Sequence, residues 1–260
     1  MSHEKFKIGL VLSGGGTRGF AHLGVIEALN EAGIYPDIIS GTSAGALAGV
    51  LYADGYTPRE ILKLMNPGSR LDYMRPALPR EGLLQIGGIM KILKSNLRAK
   101  TFEELKIPLY VSATDLNNGK AKYFSEGELL DPVMASASIP VLFQPVIINN
   151  ICYVDGGVLD NLPLRPIEKK CRFLIGSFVN PVGYIEKISG LIGIAERTFM
   201  LSMSKEIGEK AKRFDLLVSP QELMNYRILD PEKSEELFSV GYNATKEKLK
   251  KIDLKKLLNK

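Results

Sequence analysis

Cysteine and histidine are scarce in this 260-residue sequence, with two of each: Cys152, Cys171, His3 and His22. No CxxC and no metal-ligand spacing occurs, which excludes a disulfide framework and a zinc site, so no metal is expected. Both cysteines read as small buried hydrophobes in a reducing compartment. Long apolar runs are also lacking. The longest charge-free stretch, Pro132 to Val154, is 23 residues, but Pro140 and Pro145 break it. Gln144, Asn149 and Asn150 would be stranded in hydrocarbon, so the stretch reads as buried core. The first residues, MSHEKFKIGLVLSGGG, hold too short an apolar run for a signal peptide. A cytoplasmic protein is expected. There is no internal repeat, low-complexity tract or Ser/Gly linker, which favours one domain over residues 1–260.

What is present is ordinary for a globular protein: 45% hydrophobic and 24% charged residues. The net charge of +5 is uneven. Residues 246–260 hold seven lysines against Glu247 and Asp253, so this stretch alone carries +5. No nucleic-acid-binding motif accompanies it, and a nucleic-acid partner is not expected. On a helix over 231–258, Tyr242, Thr245, Leu249 and Ile252 form a core-facing stripe. Lys248, Lys250, Lys251 and Lys255 are left largely outward, as in an ordinary solvated terminal helix or as a face that meets an anionic membrane surface.

Hydrophobic patterning predicts short strands at Lys7–Leu12, Asp37–Ser40, Leu109–Ala113, Ala121–Phe124, Val146–Ile148, Cys152–Val154, Phe173–Val179 and Asp215–Ser219. Helices are expected at Arg18–Ala32, Ala44–Ala53, Ile188–Arg213 and Pro231–Leu258. Thr57-Pro58-Arg59-Glu60 is a capping box, and Thr101 to Glu104 repeats the pattern. Strands alternating with helices predict an α/β fold with a largely parallel sheet between helical layers. Chemistry is then sought at the carboxyl ends of strands.

Three motifs stand there. Gly14-Gly15-Gly16-Thr17-Arg18-Gly19 follows a strand and opens a helix, where backbone N–H groups can face an anion. It satisfies G-x-G-x-x-G, yet the acid a dinucleotide site needs is misplaced, because Asp37 starts the second strand rather than ending it. A tight turn without a ligand is the plain alternative. Gly41-Thr42-Ser43-Ala44-Gly45 is a G-x-S-x-G at the next strand-to-helix junction, the pattern of a nucleophile elbow. Asp155-Gly156-Gly157 delivers the first charge after the 23 uncharged residues; read alone, it is also an Asp-Gly turn. Both histidines precede Ser43, so a triad in the order Ser, acid, His cannot form. His22 reads as a packing residue within the first helix. The base for a reactive Ser43 would be a carboxylate.

These blocks resemble the patatin-like phospholipases, as GGGxRG, GxSxG and DGG in that order. Ala135-Ser136-Ala137-Ser138-Ile139-Pro140, Phe143-Gln144-Pro145-Val146 and Asn161-Leu162-Pro163 extend the likeness, which is greatest to the short bacterial relatives of neuropathy target esterase. The resemblance implies a three-layer α/β/α sandwich and a serine acyl-ester hydrolase (phospholipase, lysophospholipase or carboxylesterase) without a cofactor. It implies Ser43 as nucleophile and Asp155 as general base. Gly14, Gly15 and Gly16 match the oxyanion loop, and Arg18 its supporting cation. The expected partners are a lipid or acyl-ester substrate and, peripherally, an anionic membrane. Asp115, also after a strand, rivals Asp155 as base but lacks its two glycines. A nucleotide-binding protein and a catalytically idle membrane adaptor are the competing functions. Residues 66–100 form a candidate lid or an ordinary surface insertion with a packed helix.

Overall fold

The computed structural model describes residues 5–65, 75–76, 84–85, 87–204, 207–228 and 231–251. The strands are β1 (Phe6–Leu12), β2 (Ile38–Thr42), β3 (Arg75–Pro76), β4 (Leu84–Gln85), β5 (Leu109–Asp115), β6 (Lys120–Phe124), β7 (Val146–Ile148), β8 (Ile151–Asp155), β9 (Cys171–Ser177) and β10 (Leu216–Val218). The helices are α1 (Phe20–Glu31), α2 (Ala44–Ala53), α3 (Pro58–Met65), α4 (Gly87–Asn96), α5 (Leu130–Ser136), α6 (Gly190–Ser204), α7 (Ile207–Ala211) and α8 (Ser234–Leu249). The main sheet has eight strands in the order β10-β9-β1-β2-β5-β8-β7, with β6 also on β5. Strands β10, β9, β1, β2 and β5 are parallel. Strands β6, β7 and β8 are antiparallel to their neighbours, so the parallel order expected from sequence stops at one edge.

Alternation along β1 builds the two faces. Ile8, Leu10 and Leu12 join the large core with α1, α2, α3 and α8. Val11 joins a smaller core of Leu162, Leu164, Ile167 and Phe178 on the opposite face. Successive strand residues point to opposite faces, so an uncharged strand of this kind requires a layer on each. The result is the three-layer α/β/α arrangement.

The edges of β5 explain where the candidate site forms. Strand β2 pairs with residues 109–112 of β5, ending with Thr42 opposite Ser112. Strand β8 pairs with residues 113–115 and ends with Asp155 opposite Ala113. Strand β6 overlaps both, pairing with residues 111–115. A strand has two edges, so β6 occupies one and β2 and β8 share the other. Because β2 runs parallel to β5 and β8 antiparallel, their carboxyl ends meet head to head beside Ser112 and Ala113.

Some expectations change. The Thr57 box forms: Thr57 N–H donates to Glu60 Oε2 at 2.8 Å and Glu60 N–H to Thr57 Oγ1 at 3.3 Å. The Thr101 box does not, because Glu104 instead accepts the Lys100 N–H at 2.6 Å. The helix predicted from Arg18 begins as a 3-10 turn, Gly16–Gly19, before α1. The pattern over 188–213 divides into α6 and α7. Cys171 is buried, whereas Cys152 is half-buried. Within the candidate lid, residues 66–74, 77–83 and 86 lie outside the described residues. Helix α4 buries Leu93 in the large core. His3, Ile252 and Lys255 also lie outside the described residues.

Helix α8 buries Thr245 and Leu249 and leaves Lys248 exposed, as are Lys250 and Lys251 in the turn that follows it. Tyr242 Oη donates to Glu31 at 2.6 Å and Lys246 Nζ to the same carboxylate at 3.1 Å. Helix α1 starts at the carboxyl end of β1, so Glu31 marks the other end of the sheet. The exposed lysines follow that anchor, away from Ser43. Among the described residues no helix is long and apolar enough to cross a membrane.

Candidate active site

Ser43 stands between β2 and α2 with φ 52° and ψ −120°, a conformation that L-residues adopt at a cost of about 1–3 kcal/mol. The turn survives because the residues two positions to either side, Gly41 and Gly45, carry no side chains. A Cβ on Gly41 would stand 2.6 Å from the Gly45 carbonyl oxygen, and one on Gly45 would overlap the Leu12 carbonyl. Close strand–helix approach therefore selects glycine at both positions, leaving the serine at the apex.

Asp155 ends β8 and is 1% exposed. Its Oδ1 accepts the Gly157 N–H at 2.7 Å. Burial pushes its pKa up to about 7, opposed by the Ser43 hydroxyl and the Gly157 N–H. Oδ2 is buried and makes no fully formed hydrogen bond. The Ser43 hydroxyl thus lies near enough to favour the ionised carboxylate without hydrogen-bond geometry, as is common in unliganded sites.

The block around Ser136 fastens both strand ends. Ser43 N–H donates to Ser136 Oγ at 2.8 Å, and that hydroxyl donates to the Ser112 carbonyl at 2.6 Å. Asp155 N–H donates to the Ser138 carbonyl at 2.9 Å. Thr114 Oγ1 donates to the Asp155 carbonyl at 3.0 Å. The hydroxyls of Ser136 and Thr114 and the carbonyl of Ser138 thereby fix nucleophile and carboxylate relative to β5.

The glycine loop closes the other side. A Cβ on Gly14 would be 3.1 Å from Ser43 Cβ and 2.6 Å from Asn161 Oδ1, so the loop lies directly against the serine. Gly14 N–H is engaged with the Asn161 carbonyl at 3.1 Å. The N–H groups of Gly15 and Gly16 make no hydrogen bond among the described residues. Gly16 takes φ +56° where the Ile228 carbonyl leaves no room for a side chain. Arg18 is buried, and its Nε donates to the Tyr226 carbonyl at 2.8 Å, tying the loop to the segment before α8. A cavity of about 210 Å³ opens beside Gly157, lined also by Asn161, Leu162, Phe178, Met203 and Lys210.

The remaining candidates stand apart. His22 is buried, with Nε2 donating to the Ser13 carbonyl at 2.8 Å and Nδ1 therefore accepting from Ser177 Oγ at 2.7 Å. Burial pushes its pKa down to about 4, so it is a neutral packing residue near pH 7. Asp115 accepts both the backbone N–H of Asn118 (2.9 Å) and its side-chain amide (2.8 Å), closing the β5–β6 turn. Asp37 accepts the N–H groups of Lys7 and Ile8 at the amino end of β2, far from any ribose position. Sequence reading missed Asn180, whose Nδ2 donates to the Gly14 carbonyl at 2.8 Å. Its signal was available: it is the first strongly polar side chain after an uncharged strand end, as Asp155 is.

A three-layer α/β fold with a serine at a strand-to-helix elbow and a buried carboxylate facing it defines the class. The chain belongs to the patatin-like phospholipase family, whose model matches residues 10–167. It is 34% identical over 172 residues to an uncharacterized NTE family protein of Mycobacterium tuberculosis, covering 62% of this chain and 45% of that protein. A lysophospholipase NTE1 of Kluyveromyces lactis is 29% identical over 267 residues, covering 90% of this chain and 18% of that protein. The chain thus spans less than half the length of these relatives. VipD from Legionella pneumophila shares the fold, with a TM-score of 0.55 at 16% identity over 98% of this chain and 67% of that one.

Proposed function

We propose that this chain hydrolyses lipid acyl esters through a Ser43–Asp155 dyad. The observation carrying this reading is the head-to-head meeting of β2 and β8, which sets a strained serine against a buried carboxylate of pKa about 7. A carboxyl near half ionisation at neutral pH can both take and return a proton. Asp155 accepts the Ser43 proton as Oγ attacks the ester carbonyl. The N–H groups of Gly15 and Gly16 hold the resulting oxyanion, while Gly14 places them and Arg18 anchors the loop. Collapse expels the alcohol, which takes the proton from Asp155. Water, deprotonated by the same carboxylate, then attacks the acyl-serine; as the acyl–Oγ bond breaks, Asp155 returns the proton to Ser43 Oγ and the fatty acid is released.

The relatives named as lysophospholipases support a lipid ester as substrate. Peripheral contact with a membrane fits α6, which covers the DGG turn. Met203 on its inner side reaches Gly157, whereas Leu191, Ile194 and Leu201 are exposed. The lysines of α8 are a less suitable docking element, because they leave the fold at the far end. A fluorophosphonate probe tests the nucleophile. Peptide mapping should find the label on Ser43; label on another serine, or none on folded protein, would contradict the reading.

A further inference from the structure

Gly14 is held by both of its backbone groups. Its N–H donates to the Asn161 carbonyl. Its carbonyl accepts from Ser13 Oγ at 2.9 Å and from Asn180 Nδ2 at 2.8 Å. Asn180 is fully buried just beyond β9, and its Oδ1 has no hydrogen-bond partner. Its Nδ2 also reaches Met203 Sδ at 3.7 Å, a weak acceptor, so the Gly14 carbonyl is the stronger of the two groups that orient this amide.

The bond fixes a direction. Across a trans peptide, the carbonyl and the following N–H point opposite ways, and no peptide among the described residues is cis. Strands β9 and β2 flank β1 on opposite edges. With the Gly14 carbonyl turned toward Asn180 on the β9 side, the Gly15 N–H points to the β2 side, where Ser43 stands. A Gly-Gly peptide has no side chains to resist rotation. Were it to turn over, a carbonyl would replace the donor and repel an oxyanion.

We propose that Asn180 is a positioning residue that holds the Gly14–Gly15 peptide with its N–H aimed at the oxyanion formed on Ser43. It acts through the Gly14 carbonyl and does not touch the ester. The assignment rests on the Ser43–Asp155 reading above.

Asn180→Leu keeps the branched shape, at a larger volume, and removes the donor; Asn180→Ala is the smaller companion. With a soluble short-chain ester, kcat should fall about 10- to 100-fold, below the loss of a whole oxyanion donor because Ser13 still bonds the carbonyl. KM should stay within about twofold. Affinity for a trifluoromethyl ketone, which forms a tetrahedral adduct with the serine, should fall by the same factor as kcat, while a non-reacting ether analogue binds as before. An unchanged kcat, or a rise in KM alone, would overturn the assignment. Ser43→Ala and Asp155→Asn in the same assay report on the underlying dyad. If they retain turnover, the dyad is wrong and the assignment falls with it; if they lose it and the Asn180 variants do not, the assignment alone is wrong. Should both Asn180 variants fail to fold, the wild type decides. The Gly15 amide proton should move downfield in NMR when the ketone adduct forms on Ser43, and a stationary Gly15 signal would refute the proposal.

Discussion

Two aspartates end adjoining strands in this protein, and their chemistry diverges. Asp155 closes β8 opposite Ala113, and Asp115 closes β5 opposite Tyr153, in the same ladder. Asp115 accepts the side-chain and backbone N–H groups of Asn118, which hold its carboxyl below the usual range against a smaller opposing effect of burial. Asp155 is enclosed, with the Gly157 N–H on Oδ1, no hydrogen bond on Oδ2 and the Ser43 hydroxyl nearby, and burial raises its pKa to about 7. Strand-end position is shared; donor supply is not. A carboxylate satisfied by its own turn is a cap, whereas one buried with an oxygen left over can exchange a proton.

That contrast can be broken in several ways. The largest effect is expected from Asp155→Asn, which keeps the shape and removes the proton acceptor. Turnover of a soluble ester should fall about 100-fold or more in folded protein. Next, wild-type kcat/KM should drop about tenfold per pH unit below a midpoint near 7, the pKa of Asp155. A free histidine would titrate in the same range, but His22 is held near 4, so His22→Gln should keep the midpoint.

Stability should show the contrast as well. The folded pKa of Asp155 is above its unfolded value of 3.8. As pH rises the unfolded chain ionises first, so wild type loses stability between about 4 and about 7 and carries the full deficit above that. Melting curves should therefore place Asp155→Asn progressively above wild type from pH 4 to pH 8. The smallest change is expected from Asp115→Asn. Its activity should stay within about threefold of wild type. Its stability deficit should vanish as pH falls through the lowered Asp115 pKa, where wild type loses the same contribution.

The candidate site was largely legible in the sequence. Ser43, Asp155 and the glycine loop all mark places where an apolar run ends in glycines, and α2 occupies the predicted Ala44–Ala53. How the two strand ends meet was not legible. It depends on β6 claiming one edge of β5, a long-range choice that no local pattern encodes. The work of Ser136, Ser138 and Asn180 was hidden for the same reason, since each bonds a backbone group distant in sequence. The Thr101 box failed because Lys100 N–H competes for Glu104. The lysine stripe was read correctly as outward through Lys251, but its place relative to Ser43 follows from how α8 lies on α1.

The most direct test of the dyad is the rate of fluorophosphonate labelling at Ser43 as a function of pH, in wild type, His22→Gln and Asp155→Asn. Wild type and His22→Gln should share a single limb with its midpoint near 7, and that limb should disappear, along with most of the rate, in Asp155→Asn. A limb that survives in Asp155→Asn, or is lost in folded His22→Gln, would contradict the Ser43–Asp155 mechanism.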